Sequence, residues 1–189
     1  MSTTVSPMTA TGRIIKAMDS EAVCVFIGPC IAKKGEVIDS ITYGGADYAM
    51  TYEELASMFE AKDIDPADFE EELQQGSKYG KNFSVSGGVT ASVIEVFKEK
   101  NHDVDVKVAK CNGAAECKKA LMMLKLGRLP EDFVEGMACV GGCVNGPMMI
   151  NKERTFMKDR NAQINKADDR GILENVAQYD ELGIKMTRG

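Results

Sequence analysis

The stretch VEGMACVGGCVNGP, residues 134–147, sets Cys139 and Cys143 four positions apart among Gly141, Gly142, Gly146 and Pro147. Glycine there permits positive φ and close backbone approach. Its N–H groups can also face the sulfides of an anionic iron–sulfur centre, stabilising it and tuning its potential. Three chemistries are open to such a loop: a metal site, a redox pair, or a glycine-rich turn that happens to contain thiols. A redox dithiol is more usually spaced Cys-x-x-Cys. A structural zinc site would need a second knuckle, and the interval from Cys111 to Cys117 is too wide for a good one. Met137, two residues ahead of Cys139, is placed to pack on a metal group, whereas most of the 12 methionines fill core.

A second stretch, GPCIAKKGE at 28–36, carries Cys30 behind Gly28 and Pro29, then Lys33 and Glu36. It reads either as a half-exposed thiol in a loop or as a ligand loop. In the second case Lys33 favours a thiolate and can pair with a small anionic ligand, and Glu36 can relay a proton. Cys24 and Cys117 read as small buried hydrophobes, and Cys111 as a structural thiol at a strand end. The lone histidine, His102, lies in the polar turn KEKNHDVD, which argues against a histidine triad or a histidine zinc hydrolase.

The elements that must position these thiols alternate in type. AVCVFIG (22–28), VDVKVAK (104–110) and DFVEGMA (132–138) read as short strands bounded by turn residues. Thr51 with Glu54 forms a capping-box signature ahead of YEELASMFEAK, and Asp65 with Pro66 gives a helix start ahead of ADFEEELQQ. Further helices are expected over VTASVIEVFKEK after Ser86-Gly87-Gly88 and over GAAECKKALMMLKLG. This order predicts an α/β fold, a mostly parallel sheet with helices packed on it, whose chemistry sits just past the carboxyl ends of strands. All three strands run into thiols, so one sheet edge is expected to gather them.

The chain has 189 residues and a formal charge of -6, enough length for a core without disulfides and the wrong sign for nucleic acid. It is expected to form one domain over 1–189, or two small lobes, with peripheral helices over about 150–189. The longest apolar run, 22–27, cannot span a bilayer, and the N-terminus lacks a signal-peptide layout, so no membrane partner and a cytoplasmic location are expected. Six cysteines without an export signal point to thiols or metal ligands.

Taken together, the two cysteine stretches resemble the catalytic domain of iron-only (diiron) hydrogenases. That family is marked by motifs around an H-cluster, a 4Fe-4S cubane joined through a cysteine to a diiron unit. Pro29, Cys30, Lys33 and Glu36 match its Pro-Cys-x-x-Lys-x-x-Glu motif. Glu135, Met137, Ala138, Cys139, Gly141, Gly142, Cys143 and Gly146 match its Glu-x-Met-Ala-Cys-x-Gly-Gly-Cys-x-x-Gly motif. TTVSPMTATGRIIK (3–16) and SGGV (86–89) are similar to intermediate family stretches. The resemblance implies one lobe of that catalytic domain. Cys30, Cys139 and Cys143 would ligate the cubane, and Cys143 would bridge to the diiron unit. Lys33 would contact a cyanide ligand, Met137 would lie beside the diiron unit, and Pro29, Ser86, Gly87, Gly88, Gly141 and Gly142 would line the cofactor.

Three departures shape the expectation. The family's first cysteine motif would lie upstream of Ser6-Pro7, which implies a partial domain, metal-free when isolated, whose partner is the missing upstream half. Gly28 stands where catalytic members carry methionine, and CVNGPMMI replaces their glycine-rich continuation. Both resemble the sensory branch, implying H2 sensing or slow turnover and ferredoxin-like or signalling domains as partners. The alternatives are an iron–sulfur protein without diiron chemistry, of the cluster-assembly type, and an inert metal-free lobe.

Overall fold

A computed structural model describes residues 2–70, 76–150 and 154–188, except the side chains of 40–43 and 154–156. The chain divides into two compact units, Met1–Glu71 with Ala177–Gly189, and Glu72–Val176.

The first unit starts from helix α1 (Pro7–Met18), where Pro7 supplies the preset φ of a first helical residue and Ser6 accepts the Thr9 N–H. Strand β1 (Val25–Ile27), helix α2 (Ala32–Tyr43) and strand β2 (Tyr48–Met50) form a βαβ unit, with the strands parallel and Val25 opposite Tyr48. Met8, Cys24, Val37 and Ala46 are its buried core, with Phe26 and Ala49 packed against them. Asp47 ties the entry to β1 by accepting the Cys24 N–H at 2.8 Å and the Lys16 ammonium at 2.5 Å. Helix α3 (Tyr52–Ala61) carries the expected capping box: Thr51 accepts the Glu54 N–H at 3.3 Å, and Glu54 accepts the Thr51 N–H at 2.8 Å. The C-terminal tail returns to the N-terminus, where the Arg188 N–H donates to Thr3 O at 2.7 Å.

The second unit contains helix α4 (Lys78–Asn82), helix α5 (Gly88–Glu99), strand β3 (Val108–Asn112), helix α6 (Ala114–Lys125), strand β4 (Phe133–Met137), helix α7 (Arg154–Asn165) and helix α8 (Ile172–Ala177). β3 and β4 are parallel, with Cys111 opposite Gly136 and Asn112 opposite Met137. Gly88 opens α5 against the end of α4, where any side chain would collide with the Asn82 carbonyl. Glu99 closes the far end of α5 on α8, accepting the Ile172 N–H at 2.7 Å and the Leu173 N–H at 2.8 Å, a carboxylate on a helix N-terminus.

The parallel pairing and the helices over 52–61, 88–99 and 114–125 agree with the sequence. Three expectations do not, and one strand was not foreseen. Among the described residues the strands form two separate two-stranded sheets, so no single sheet edge collects the thiols. GPCIAKKGE is not a loop throughout, because α2 begins at Ala32 and takes in Lys33 and Glu36. Strand β2 escaped notice, since three residues are too few to show a period. After Asp65 only a 3-10 turn forms (Pro66–Asp68) and Phe69 is extended; residues 71–75 of the expected helix lie outside the described residues.

Removing the capping hydroxyl with Thr51→Ala is expected to cost about 1 kcal/mol. Urea unfolding followed by circular dichroism measures it.

Candidate metal centre

In the first unit the candidate residues lie along one strand-to-helix turn. β1 ends at Ile27, Gly28 and Pro29 turn the chain, and the half-buried Cys30 precedes α2. The Lys33 N–H donates to Cys30 O at 3.4 Å, so the thiol rides on the first turn of the helix. Lys33 and Glu36, three residues apart on α2, form an ion pair. Glu36 also accepts hydrogen bonds from Ser6 Oγ, at the cap of α1, and from Thr9 Oγ1 at 3.2 Å. Burial pushes the Glu36 carboxyl up, but Lys33, Ser6 and Thr9 together outweigh it and hold the group below its ordinary 4.5. Gly28 leaves no vacancy: the Phe26 ring lies 2.8 Å from where a Cβ would stand.

In the second unit the cysteine loop begins where β4 ends. Burial along β4 alternates, with Glu135 and Met137 buried and Gly136 exposed. Cys139 is half-buried and Cys143 exposed. The loop closes on itself through the Gly142 N–H to Cys139 O and the Gly146 N–H to Cys143 O, both 3.0 Å. It is also clamped to residues 84–86. Val85 bridges Gly142, Val144 N–H donates to Ser84 O at 3.3 Å, and Ser86 N–H donates to Gly141 O at 3.2 Å. Gly142, at φ 101, fits because a Cβ there would stand 2.5 Å from Ser84 O and 2.6 Å from Val85 Cα.

The backbone donors serve a different end from the one expected. The N–H groups of Gly142 and Gly146 close the loop, and that of Gly141 donates to Asn112 Oδ1 at 2.6 Å. The Gly88 N–H donates to Val85 O, and the Gly87 N–H to Glu135 Oε1 at 2.7 Å. These glycines build the cradle rather than aim hydrogens out of it. Glu135, only 4% exposed, was matched in the cysteine motif with no role assigned to it. Its carboxylate also accepts the Thr90 N–H at 2.9 Å and the Thr90 hydroxyl, fastening β4 to the start of α5. Its signal in the sequence was a carboxylate at an inward position of an otherwise apolar strand.

Of the remaining thiols, Cys24 and Cys111 are buried, whereas Cys117, expected to be a buried hydrophobe, is half-buried on α6. Cys117 Sγ lies 3.6 Å from Met137 O, over the bare face of Gly136. Burial first, then Cys117, Glu116 and Glu131, push the Cys111 thiol up, which disfavours the thiolate that metals bind. Within neither unit do three or more His, Cys, Asp or Glu side chains among the described residues converge as a metal site. The candidate donors fit an iron–sulfur group in kind: soft thiols at two strand exits, two of them on a glycine cradle too close-packed for any side chain.

Two outcomes follow from this geometry. Glu135→Gln turns an amide N–H toward a backbone donor and is expected to destabilise by about 1–3 kcal/mol in urea unfolding. The stability contributed by Glu36 is present above the unfolded value near 4.5 and is lost as pH falls through the lower folded value. Glu36→Gln should therefore flatten the acid limb of stability measured from neutral pH down to about pH 3.

Comparison with known proteins agrees with the geometry. Residues 1–147 match the family model described as iron only hydrogenase large subunit, C-terminal domain. The periplasmic Fe hydrogenase large subunit of Nitratidesulfovibrio vulgaris is 31% identical over 188 residues, covering 77% of this chain and 45% of that protein. The probable cytosolic Fe-S cluster assembly factor oxy-4 of Caenorhabditis elegans is 25% identical over 223 residues, covering 93% of this chain and 48% of that protein. The chain thus spans about half the length of these curated relatives. A solved FeFe-hydrogenase, studied for oxygen inactivation at its 2Fe subcluster, superposes with a TM-score of 0.65 at 20% identity, covering 98% of this chain and 65% of that one. At that identity the likeness concerns the fold. With most of its length matched by the family model and both cysteine motifs at strand exits, this chain belongs to the iron-only hydrogenase large-subunit family, within its C-terminal domain.

Proposed function

We propose that this chain is part of an H-cluster protein that senses H2 or turns it over slowly. In this reading Cys30, Cys139 and Cys143 would hold the 4Fe-4S cubane as thiolates, Cys143 would also serve the diiron unit, and the upstream half of the domain would supply the fourth thiolate. The observation that carries this reading is the cysteine loop itself, which follows β4 directly and is clamped along 84–86 by backbone hydrogen bonds. When bound, the H-cluster supplies reversible reduction of protons to H2. The chain's own residues hold and orient. Lys33 Nζ, paired with Glu36 Oε2, is the cation offered to a cyanide ligand, and Glu36 Oε1, facing Ser6 Oγ and Thr9 Oγ1, is a relay point for a proton. Pro29, Met137 and Ser86 to Gly88 shape the walls.

The sensory assignment rests on Gly28, whose side-chain space the Phe26 ring occupies. Ferredoxin-like or signalling domains are the partners in this reading, and the reducing cytoplasm is the compartment in which the thiols stay available. A second reading, an iron–sulfur protein without diiron chemistry, is favoured by the similarity to the C. elegans assembly factor. A plain cubane has no use for the Lys33 and Glu36 pair, which supports the first.

The deciding experiment joins the upstream half to this chain, reconstitutes it anaerobically with iron, sulfide and a diiron precursor, and records infrared spectra. Bands in the CO and cyanide stretching region are expected. Their absence alongside a 4Fe-4S EPR signal would replace the first reading with the second. Cys139→Ser or Cys143→Ser should lower the iron bound per chain, whereas in the metal-free chain alone Cys30→Ala should leave the thermal midpoint nearly unchanged.

A further inference from the structure

We infer that Asn112 is the positioning residue that holds the Cys139–Cys143 loop in the shape that presents its two thiols. The inference rests on the proposed role of those thiols as cluster ligands.

Asn112 is the last residue of β3, opposite Met137, and the β3–β4 ladder does not stop there. Gly113 N–H donates to Met137 O at 2.7 Å and Ala114 N–H to Ala138 O at 3.1 Å, so the turn into α6 is zipped to the chain up to the residue before Cys139. The turn is fixed from its other side as well, because the Asn112 N–H donates to Glu116 Oε2 at 2.8 Å on the first turn of α6. A side chain leaving Asn112 is therefore anchored at its base. It reaches midway between the two cysteines, where Oδ1 accepts the Gly141 N–H at 2.6 Å.

The other face of the same residue is held by Ser86 N–H on Gly141 O, so Gly141 is gripped at both its N–H and its carbonyl. That grip matters because Gly141 and Gly142 sit at φ 86 and 101, in a region where glycine has many alternatives of similar energy. The grip from 84–86 comes from backbone, and truncating a side chain there does not remove it. Asn112 supplies the side-chain grip from outside the loop, beside the loop's own Asn145, whose Nδ2–H donates to Val140 O at 3.2 Å. Without it, the segment carrying Cys139 can swing on its glycines while the fold around it stays intact.

The test compares the unsubstituted chain with Asn112→Ala, which lacks the acceptor, and Asn112→Asp, which keeps an oxygen at the same reach. Iodoacetamide labelling of each cysteine in the metal-free chain is timed by peptide mass spectrometry, with Cys24 in the first unit as reference. Asn112→Ala should raise the Cys139 rate about fivefold, the worth of one hydrogen bond, with Asn112→Asp near the unsubstituted rate and Cys24 constant. Should Asn112→Ala lose its native circular dichroism, Asn112→Ser, whose hydroxyl is too short to reach Gly141, takes its place. Equal Cys139 rates with and without the acceptor overturn the inference. Iron and sulfide bound per chain after anaerobic reconstitution with the upstream half should fall in the same order. If the unsubstituted protein takes up neither, the cluster reading fails, while the labelling rates still decide the role of Asn112.

Discussion

A buried carboxylate is the constraint on which the second unit is arranged. Glu135 sits almost out of reach of water, and a carboxylate there is tolerable only if hydrogen-bond donors replace the solvent. The donors are the Gly87 N–H, the Thr90 N–H and the Thr90 hydroxyl, all at the start of α5. β4 and the α5 entry are therefore committed to each other. Residues 84–86, just before that entry, are thereby held where they can pair with Gly141, Gly142 and Val144. The cysteine loop thus depends in part on a carboxylate whose hydrogen bonds go to Gly87 and Thr90.

The first unit uses the same device in a more exposed form. Glu36 draws the N-cap serine of α1, Thr9 and its own helix neighbour Lys33 to one carboxylate, which joins α1 to α2. Cys30 is placed by the turn these helices frame. The charge pair on the first turns of α2 helps to order the turn that carries Cys30.

Burial and acidic neighbours set Cys111 apart from the proposed ligand thiols. Cys111 is buried with Cys117, Glu116 and Glu131 around it, an environment hostile to a thiolate. Cys30, Cys139 and Cys143 are half-buried or exposed on turns that follow strands. Glycine beside Cys139 and Cys143 marks where backbone must come close and side chains must stay away.

The sequence by itself determined the family, the parallel α/β character, the α3 capping box and the two cysteine motifs, since each is written in residues a few positions apart and needs only local geometry. Helix α2 was missed because Gly28, Pro29 and Gly35 look like loop residues, and α2 is stabilised in part by Glu36 reaching Ser6 thirty residues back. β2 was missed because a three-residue strand has no period and is defined only by its partner. The separation into two sheets, the use of the glycine N–H groups within the cradle, and the parts played by Glu135 and Asn112 were decided by tertiary structure alone. Each depends on a donor or acceptor from another element, Glu135 on residues 45 and 48 positions away and Asn112 on one 29 away, and no spacing rule spans such distances.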